Sequence, residues 1–163
     1  MTDTGAATAF VPAHVQLIEM CAGGWVPAAV YGAAKLGLAD HLADGPRTAD
    51  ELAARTGTHP PSLYRFLRTI GGFGIVTESH GQQFALTPLG EALKTGAPGA
   101  ARSTLLAFGG PAFWRTWEEI GYSLETGKPA FEHVWGTPFF DYLAKRPEAA
   151  AHFSEAMIGF HGS

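Results

Sequence analysis

The stretch TADELAARTGTHPPSLYRFLRTIGGFGIVTESHGQQFALTPLG, residues 48–90, decides the fold of this chain. It begins with a capping box, in which the side chains of Thr48 and Glu51 each bond to the backbone N–H of the other residue. The box predicts a short helix over 49–55. Gly57 ends this helix, because glycine readily adopts the left-handed conformation that terminates helices.

A second helix and a hairpin follow in the same stretch. The proline pair at 60–61 predicts a helix start, since proline is tolerated in a first turn, and the glycine pair at 71–72 ends that helix. Two strand-like runs, 74–78 and 83–87, are separated by the turn residues at 80–81. Helix, turn, helix and hairpin in this order predict a winged helix-turn-helix. The helix carries apolar residues at helical spacing, namely Leu63, Phe66, Leu67 and Ile70.

Two helical segments precede this stretch. The first, 12–21, is dense in apolar residues and is closed by the glycine pair at 23–24, and the second, 25–42, is apolar on nearly every face. A helix that is apolar all round should be buried on all sides. In a short chain this favours an interlocked homodimer, and a central core helix of a monomer is the alternative. We therefore expect a mainly α domain over 12–99, after a flexible N-terminus at 1–11.

The last third of the chain, 100–163, is rich in aromatic residues. Helices are predicted at 101–108, 112–126, 138–144 and 147–158. Aromatic residues at helical spacing usually form a core. The alternative is that they line one wall of an apolar pocket for a flat aromatic ligand.

Composition and charge limit the function classes. Hydrophobic residues make up 46% of the chain, charged residues 16%, and the net charge is −4. Between residues 48 and 90 three arginines balance three acidic residues, and the wing at 78–83 has no Lys or Arg. A winged helix that binds DNA normally has a basic face, so this composition argues against DNA binding. The single cysteine, Cys21, rules out a framework of internal disulfides, which suggests a reducing cytoplasm. No signal peptide is evident, and the apolar run 25–38 is too short and too interrupted to span a bilayer. We expect a cytoplasmic protein that binds neither nucleic acid nor membrane.

The motifs of catalytic and metal sites do not occur in the sequence. The seven histidines include no pair at i, i+4, no His-Glu-x-x-His motif and no partner cysteine pair. There is no Gly-x-Ser-x-Gly elbow of a hydrolase. The run at 71–74 (GGFG) follows a helix rather than a strand, so it predicts a helix stop and not a phosphate loop. We therefore assign neither a catalytic residue nor a metal ligand.

Several blocks in order resemble the N-terminal dimerisation region of the S-adenosylmethionine-dependent O-methyltransferases, the group of plant phenylpropanoid and bacterial polyketide-tailoring enzymes. The similarity covers nearly the whole chain, and the order and spacing of the blocks are more specific than any single one. The blocks are 33–42 (AAKLGLADHL), 48–57 (TADELAARTG), 63–70 (LYRFLRTI), 84–90 (FALTPLG), 127–131 (GKPAF) and 153–157 (FSEAM).

The resemblance implies a homodimer in which the later helices form part of the pocket for an aromatic small-molecule substrate. It also implies contacts with the methyl donor, S-adenosylmethionine, from Phe140 and Met157. The glycine-rich donor site and the catalytic histidine of the family follow the region matched here. We therefore expect a dimerisation and substrate-pocket half that binds no S-adenosylmethionine by itself. A stand-alone dimeric binding module and a winged-helix regulator are the alternatives. The substrate-facing positions implied are Phe108, Phe113, Trp117, Phe153 and Met157.

Overall fold

A computed structural model describes residues 11–161 of the chain, without the side chains of residues 160 and 161. The predicted flexible N-terminus lies almost wholly outside the described residues. The helices are α1 (Ala13–Ala22), α2 (Trp25–Lys35), α3 (Leu38–His41), α4 (Ala49–Thr56), α5 (Pro60–Gly72), α6 (Pro88–Glu91), α7 (Ala101–Phe108), α8 (Pro111–Glu118), α9 (Ile120–Thr126), α10 (Ala130–Trp135), α11 (Phe139–Ala144) and α12 (Pro147–His161). The strands are β1 (Arg47–Thr48), β2 (Val76–Ser79) and β3 (Gln83–Leu86). The mainly α fold with a small β-hairpin is confirmed.

The capping box at the start of α4 is confirmed. The Glu51 backbone N–H donates to the Thr48 hydroxyl at 3.2 Å, and the Thr48 N–H donates to the Glu51 carboxylate at 2.7 Å. The backbone N–H and the hydroxyl of Thr48 both donate to the Glu51 carboxylate, which lowers the pKa of Glu51 below its usual 4.5. Gly57 ends the helix in the left-handed conformation, with φ 67°.

The wing is an antiparallel hairpin of β2 and β3 in which Val76 lies opposite Leu86. The two-residue strand β1 pairs with β3 and completes a three-stranded sheet in the order β1-β3-β2. Two contacts fasten β2 to α5: the Tyr64 hydroxyl donates to Glu78 at 2.9 Å, and Arg68 lies 3.7 Å from the same carboxylate. The hydrogen bond to Glu78 raises the pKa of Tyr64.

One hydrophobic core holds the winged helix-turn-helix to the helices before it. Leu52, Leu67 and Ile70 are fully buried, Phe84 is 1% exposed, and Ala33 of α2 belongs to the same cluster. The predicted apolar positions of α5 therefore face this core, with Leu63, Leu67 and Ile70 buried and Phe66 packed against it at partial burial.

The predicted break between the first two helices is confirmed, since α1 ends at Ala22 and α2 begins at Trp25. Gly23 and Gly24 both keep right-handed helical backbone angles at this break. The predicted end of the second helix was wrong, because Gly37 adopts φ 63° and separates α2 from α3. The helix expected over 25–42 is therefore two helices.

Taken together as one helix, α1 and α2 (Ala13–Lys35) are long and apolar enough, by length and composition, to cross a membrane. The expectation from the sequence considered only the shorter run 25–38. Helix α1 has no buried residue in this structure. A helix that a protein partner covers on several sides has the same composition.

The predicted helix over 112–126 was also wrong in one respect, since it is divided at Glu119 into α8 and α9. Helix α10 was not predicted at all. Both features belong to the C-terminal third, where α12 packs along α7.

Candidate functional site

An aromatic cluster joins α7, α8, α10, α11 and α12. Phe113 is central, with its ring centre 5.1 Å from Phe108 and 5.6 Å from Phe139. Phe153 of α12 closes the group at 5.1 Å from Phe139 and 6.0 Å from Phe108. Edge-on or tilted ring pairs at these distances stabilise each other by about 0.5–1.5 kcal/mol beyond their burial. The aromatic cluster consists of Phe108, Phe113, Phe131, Trp135, Phe139, Phe140, Tyr142 and Phe153.

The structure brings most of the sequence-predicted substrate and donor residues to one place. Phe108, Phe113 and Phe153 lie inside the cluster, and Phe140 stands at its open edge with 71% of its surface exposed. Met157 is half-buried one turn after Phe153 on α12. Whether these residues contact a substrate or a methyl donor stays a prediction.

Trp117 is the predicted site residue that the structure does not bring into the cluster. It is 63% exposed and has no ring contact among the described residues. Trp135 lies in the cluster instead, where its indole N–H donates to the Ala112 carbonyl at 3.1 Å. Trp135 was not predicted as a site residue because no helix was expected at 130–135.

A cavity of about 180 Å³ opens beside the cluster. Its walls are Phe113, Phe139 and Phe153 from the cluster, together with Tyr31 of α2. The Arg146 guanidinium caps the cluster at 3.7 Å from the Tyr142 ring centre, a cation–π arrangement that keeps charge at the rim. A cavity with this lining suits a flat apolar molecule.

Groups that could perform chemistry are scarce around this cavity. Among residues 11–161 there is no group of three or more His, Cys, Asp or Glu side chains that could hold a metal ion. Tyr31 and Tyr142 are the lining residues with a polar group in the side chain, and the other lining residues are glycine or apolar. The arrangement can position an aromatic molecule but offers no evident general base.

A second surface is an apolar groove between α2, the segments on either side of the wing, and α7. It encloses about 500 Å³. Two side chains at its mouth, Phe73 and Leu89, are 36% and 58% exposed. The apolar groove is lined by Val26, Val30, Phe73, Ile75, Leu89, Leu93 and Leu105.

Helix α1 presents apolar side chains that nothing in the described chain covers. Leu17, Ile18 and Met20 are 67%, 64% and 73% exposed, and Trp25 at the start of α2 is 75% exposed. Contiguous apolar surface of this kind marks an interaction site on a protein. The apolar groove and α1 are therefore two unpartnered surfaces of the same character.

Comparison with known proteins finds a family model and relatives that match this chain. Residues 18–96 match the family model of the O-methyltransferase dimerisation domain. The chain is 42% identical over 160 residues to the phenazine O-methyltransferase PhzM of Lysobacter antibioticus, covering 98% of this chain and 46% of that protein. It is 39% identical over 144 residues to the 3-amino-4-hydroxybenzoate 4-O-methyltransferase of Streptomyces cremeus, covering 88% of this chain and 39% of that protein.

The fold is similar to solved methyltransferases. The N,N-8-amino-8-demethyl-D-riboflavin dimethyltransferase RosA of Streptomyces davawensis superposes with a TM-score of 0.86 at 35% identity, covering 92% of this chain and 45% of that one. The chain thus spans less than half the length of these relatives.

Proposed function

The chain carries the N-terminal dimerisation domain of the O-methyltransferase family, and on this premise we propose that it forms the homodimer frame and one substrate wall of a methyltransferase for aromatic natural products. The observation that carries the proposal is the pair of unpartnered apolar surfaces, which a second copy covers.

The apolar groove supports the homodimer. Val26, Val30, Phe73 and Leu89 all lie within the matched range 18–96. Most of α1, including the exposed Leu17, Ile18 and Met20, lies at the start of this range or just before it. Obligate interfaces resemble a core cut in half. A partner's α1 lying in the groove would remove both apolar surfaces from water.

The aromatic cluster supports the substrate wall. Its cavity is lined in part by the rings of Phe113, Phe139 and Phe153, and the exposed Phe140 packs against the last two. Flat conjugated substrates bind such walls by stacking and by apolar burial. The relatives methylate a phenazine and an aminohydroxybenzoate, as their names state, so a hydroxylated aromatic ring is the substrate class that we propose.

S-adenosylmethionine is the donor implied by the family, but the described residues do not fit it. A donor site needs a glycine-rich turn between a strand and a helix, with a carboxylate for the ribose. The strands of residues 11–161 form only the wing and its neighbour β1. In a methyltransferase that includes this chain, Phe140 and Met157 would add apolar contacts to a donor that is anchored elsewhere.

We further propose that the protein acts in the cytoplasm and does not read DNA. Of the basic side chains on α5, Arg68 already pairs with Glu78 of the wing. The wing itself has no Lys or Arg between 78 and 83. These features leave the helix-turn-helix as a packing unit rather than a groove-reading one.

Binding of a hydroxylated phenazine, followed by tryptophan fluorescence, tests the substrate wall. Trp135 lies in the cluster and its emission should be quenched as the ring stacks nearby. The variant Phe113→Leu should weaken binding by at least tenfold. The matched control Phe84→Leu, in the winged-helix core at 1% exposure, should leave it unchanged. Equal weakening in both variants would overturn the proposal.

A further inference from the structure

Tyr31 is the residue that the dimerisation helices contribute to the cavity beside the aromatic cluster. It lies on α2, within the matched range 18–96, whereas every other lining residue lies between 106 and 153. Helix α2 reaches the cavity because it packs on α7. The substrate-facing positions expected from the sequence all lie between 108 and 157, so the sequence did not single out Tyr31.

Two glycines after α7 allow the Tyr31 side chain to lie against the backbone. A Cβ atom on Gly109 would stand 3.1 Å from Cβ of Tyr31, and one on Gly110 would stand 3.5 Å from the Tyr31 hydroxyl oxygen. The side chain therefore extends along the backbone from Gly109 to Gly110. Gly110 lines the cavity beside the aromatic cluster, whereas Gly109 lines a different one. The hydroxyl is thus the end of Tyr31 that lies at the aromatic cavity.

The Tyr31 hydroxyl has no hydrogen-bond partner among residues 11–161. It is also not one of the atoms in that range that are both shielded from water and unpartnered, which are Nε of Arg102 and Nδ1 of His152. A phenol hydroxyl is a donor as well as an acceptor. Its donor hydrogen is therefore accessible to a molecule in the cavity.

The cavity offers a bound molecule few other polar contacts. Tyr142 has the only other polar side chain in the lining, and no lining residue is charged. Tyr142 is 9% exposed and enclosed by Phe131, Trp135 and the Arg146 guanidinium. Tyr31 is half-buried and its hydroxyl lies beside a glycine, so it is the more accessible donor of the two. A few well-placed polar groups in an apolar pocket fix the orientation of the ligand and its specificity.

We infer that the Tyr31 hydroxyl donates a hydrogen bond to an acceptor atom in the ring system of the substrate, which makes Tyr31 a specificity residue for nitrogen-containing aromatic rings. The inference rests on the proposed function, since an aromatic molecule must first occupy this cavity. The lone pair of a ring nitrogen lies in the plane of the ring, so Phe113 and Phe153 contact the faces while Tyr31 contacts the edge. A ring with CH in place of the nitrogen leaves the hydroxyl without an acceptor, and a site with an unpaired polar group discriminates against such a ligand.

Two ligands of the same shape test this inference. In 2-hydroxyanthracene two CH groups replace the ring nitrogens of 2-hydroxyphenazine. Equilibrium dialysis against the 163-residue chain gives a dissociation constant for each ligand. The selectivity ratio is the constant for the anthracene divided by the constant for the phenazine. Because the two ligands also differ in hydrophobicity, the ratio is compared between variants of the chain.

The variant Tyr31→Phe should lower the selectivity ratio about fivefold, the factor that one neutral hydrogen bond contributes. Its affinity for 2-hydroxyanthracene should change little, since phenylalanine keeps the ring against Gly109 and Gly110. Equal thermal melting temperatures check that the fold is retained. The matched control is Tyr122→Phe, which removes a hydroxyl from a ring that stacks on His133 outside the cavity. This control should leave the ratio unchanged.

The outcomes separate this inference from the proposed function. If both ligands bind, Phe113→Leu weakens both and Tyr31→Phe keeps the ratio, the substrate wall stands and the role of Tyr31 is wrong. Equal weakening of both ligands by Tyr31→Phe also overturns the inference, because it shows that Tyr31 only shapes the wall. So does a ratio that falls in Tyr142→Phe and not in Tyr31→Phe. If neither ligand binds the unmodified chain, the proposed substrate wall fails and this inference fails with it.

Discussion

Replacing Leu17 by serine should dissociate the proposed homodimer. Leu17 is 67% exposed on α1, so a partner that covers it removes about two thirds of its surface from water. Burying a whole leucine side chain stabilises by about 1.5–3 kcal/mol, which leaves about 1–2 kcal/mol for Leu17. A two-fold dimer contains the substitution twice. The loss is then about 2–4 kcal/mol, which raises the dimer dissociation constant roughly 30- to 1,000-fold.

Sedimentation equilibrium over a range of concentrations measures that constant. The control is Glu19→Ser, which removes an exposed polar side chain from the same helix and should change the constant little. Circular dichroism on both variants checks that α1 and the core remain folded. If Leu17→Ser and Glu19→Ser have the same dissociation constant, α1 does not lie in the interface. A well-folded monomer of 17.2 kDa at micromolar concentration would refute the dimer itself.

Four other predictions concern the winged helix-turn-helix. Thr48→Ala removes the capping box and should lower the free energy of unfolding in urea by about 1 kcal/mol. Because the folded pKa of Glu51 is lowered, its stabilisation is present above pH 4.5 and lost as the pH falls through the folded value. The difference in urea midpoint between the unmodified chain and Glu51→Gln should therefore shrink below pH 4.5. Gly90→Ala should destabilise by about 1–3 kcal/mol, since the added Cβ would collide with the Ile75 carbonyl oxygen, and a calorimetric melting temperature equal to that of the unmodified chain would contradict this. Titration with duplex DNA at low salt should show no specific binding, and charge reversal at Arg65 and Arg68 should change this result little. A specific site near 10⁻⁸ to 10⁻¹¹ M that the charge reversal abolishes would restore the regulator alternative.

Local signals were sufficient for the winged helix-turn-helix. The capping box at Thr48 and the apolar spacing of α5 depend on residues within one or two helical turns. The hairpin turn depends on the residues between β2 and β3 alone. The two-residue strand β1 is too short to form a sequence pattern, and only its pairing with β3 reveals it.

Long-range packing decided what the sequence could not. The division of the predicted helix at Glu119 has no glycine or proline at that residue to mark it. The glycine pair at 23–24 separates α1 from α2 with helical backbone angles, whereas Gly37 ends α2 early in the left-handed conformation. Glycine permits a left-handed turn without requiring one.

The candidate site was predictable in part. Phe108, Phe113 and Phe153 were expected from the resemblance, and they do meet in the structure. The position of Trp117 outside the cluster follows from tertiary packing, which places Trp135 of α10 there instead. Composition showed that the C-terminal third is aromatic but could not show which rings would face each other.

The central claim is that this chain binds an aromatic substrate but not the methyl donor. Calorimetry tests it most directly, with S-adenosylmethionine and a hydroxylated phenazine titrated into one sample of the 163-residue chain of verified mass. The account predicts heat from the phenazine, abolished or strongly reduced in Phe113→Leu, and none from the donor. Micromolar binding of S-adenosylmethionine to this chain would contradict it, because the strands of residues 11–161 form only the wing and β1 and include no glycine-rich turn from a strand into a helix.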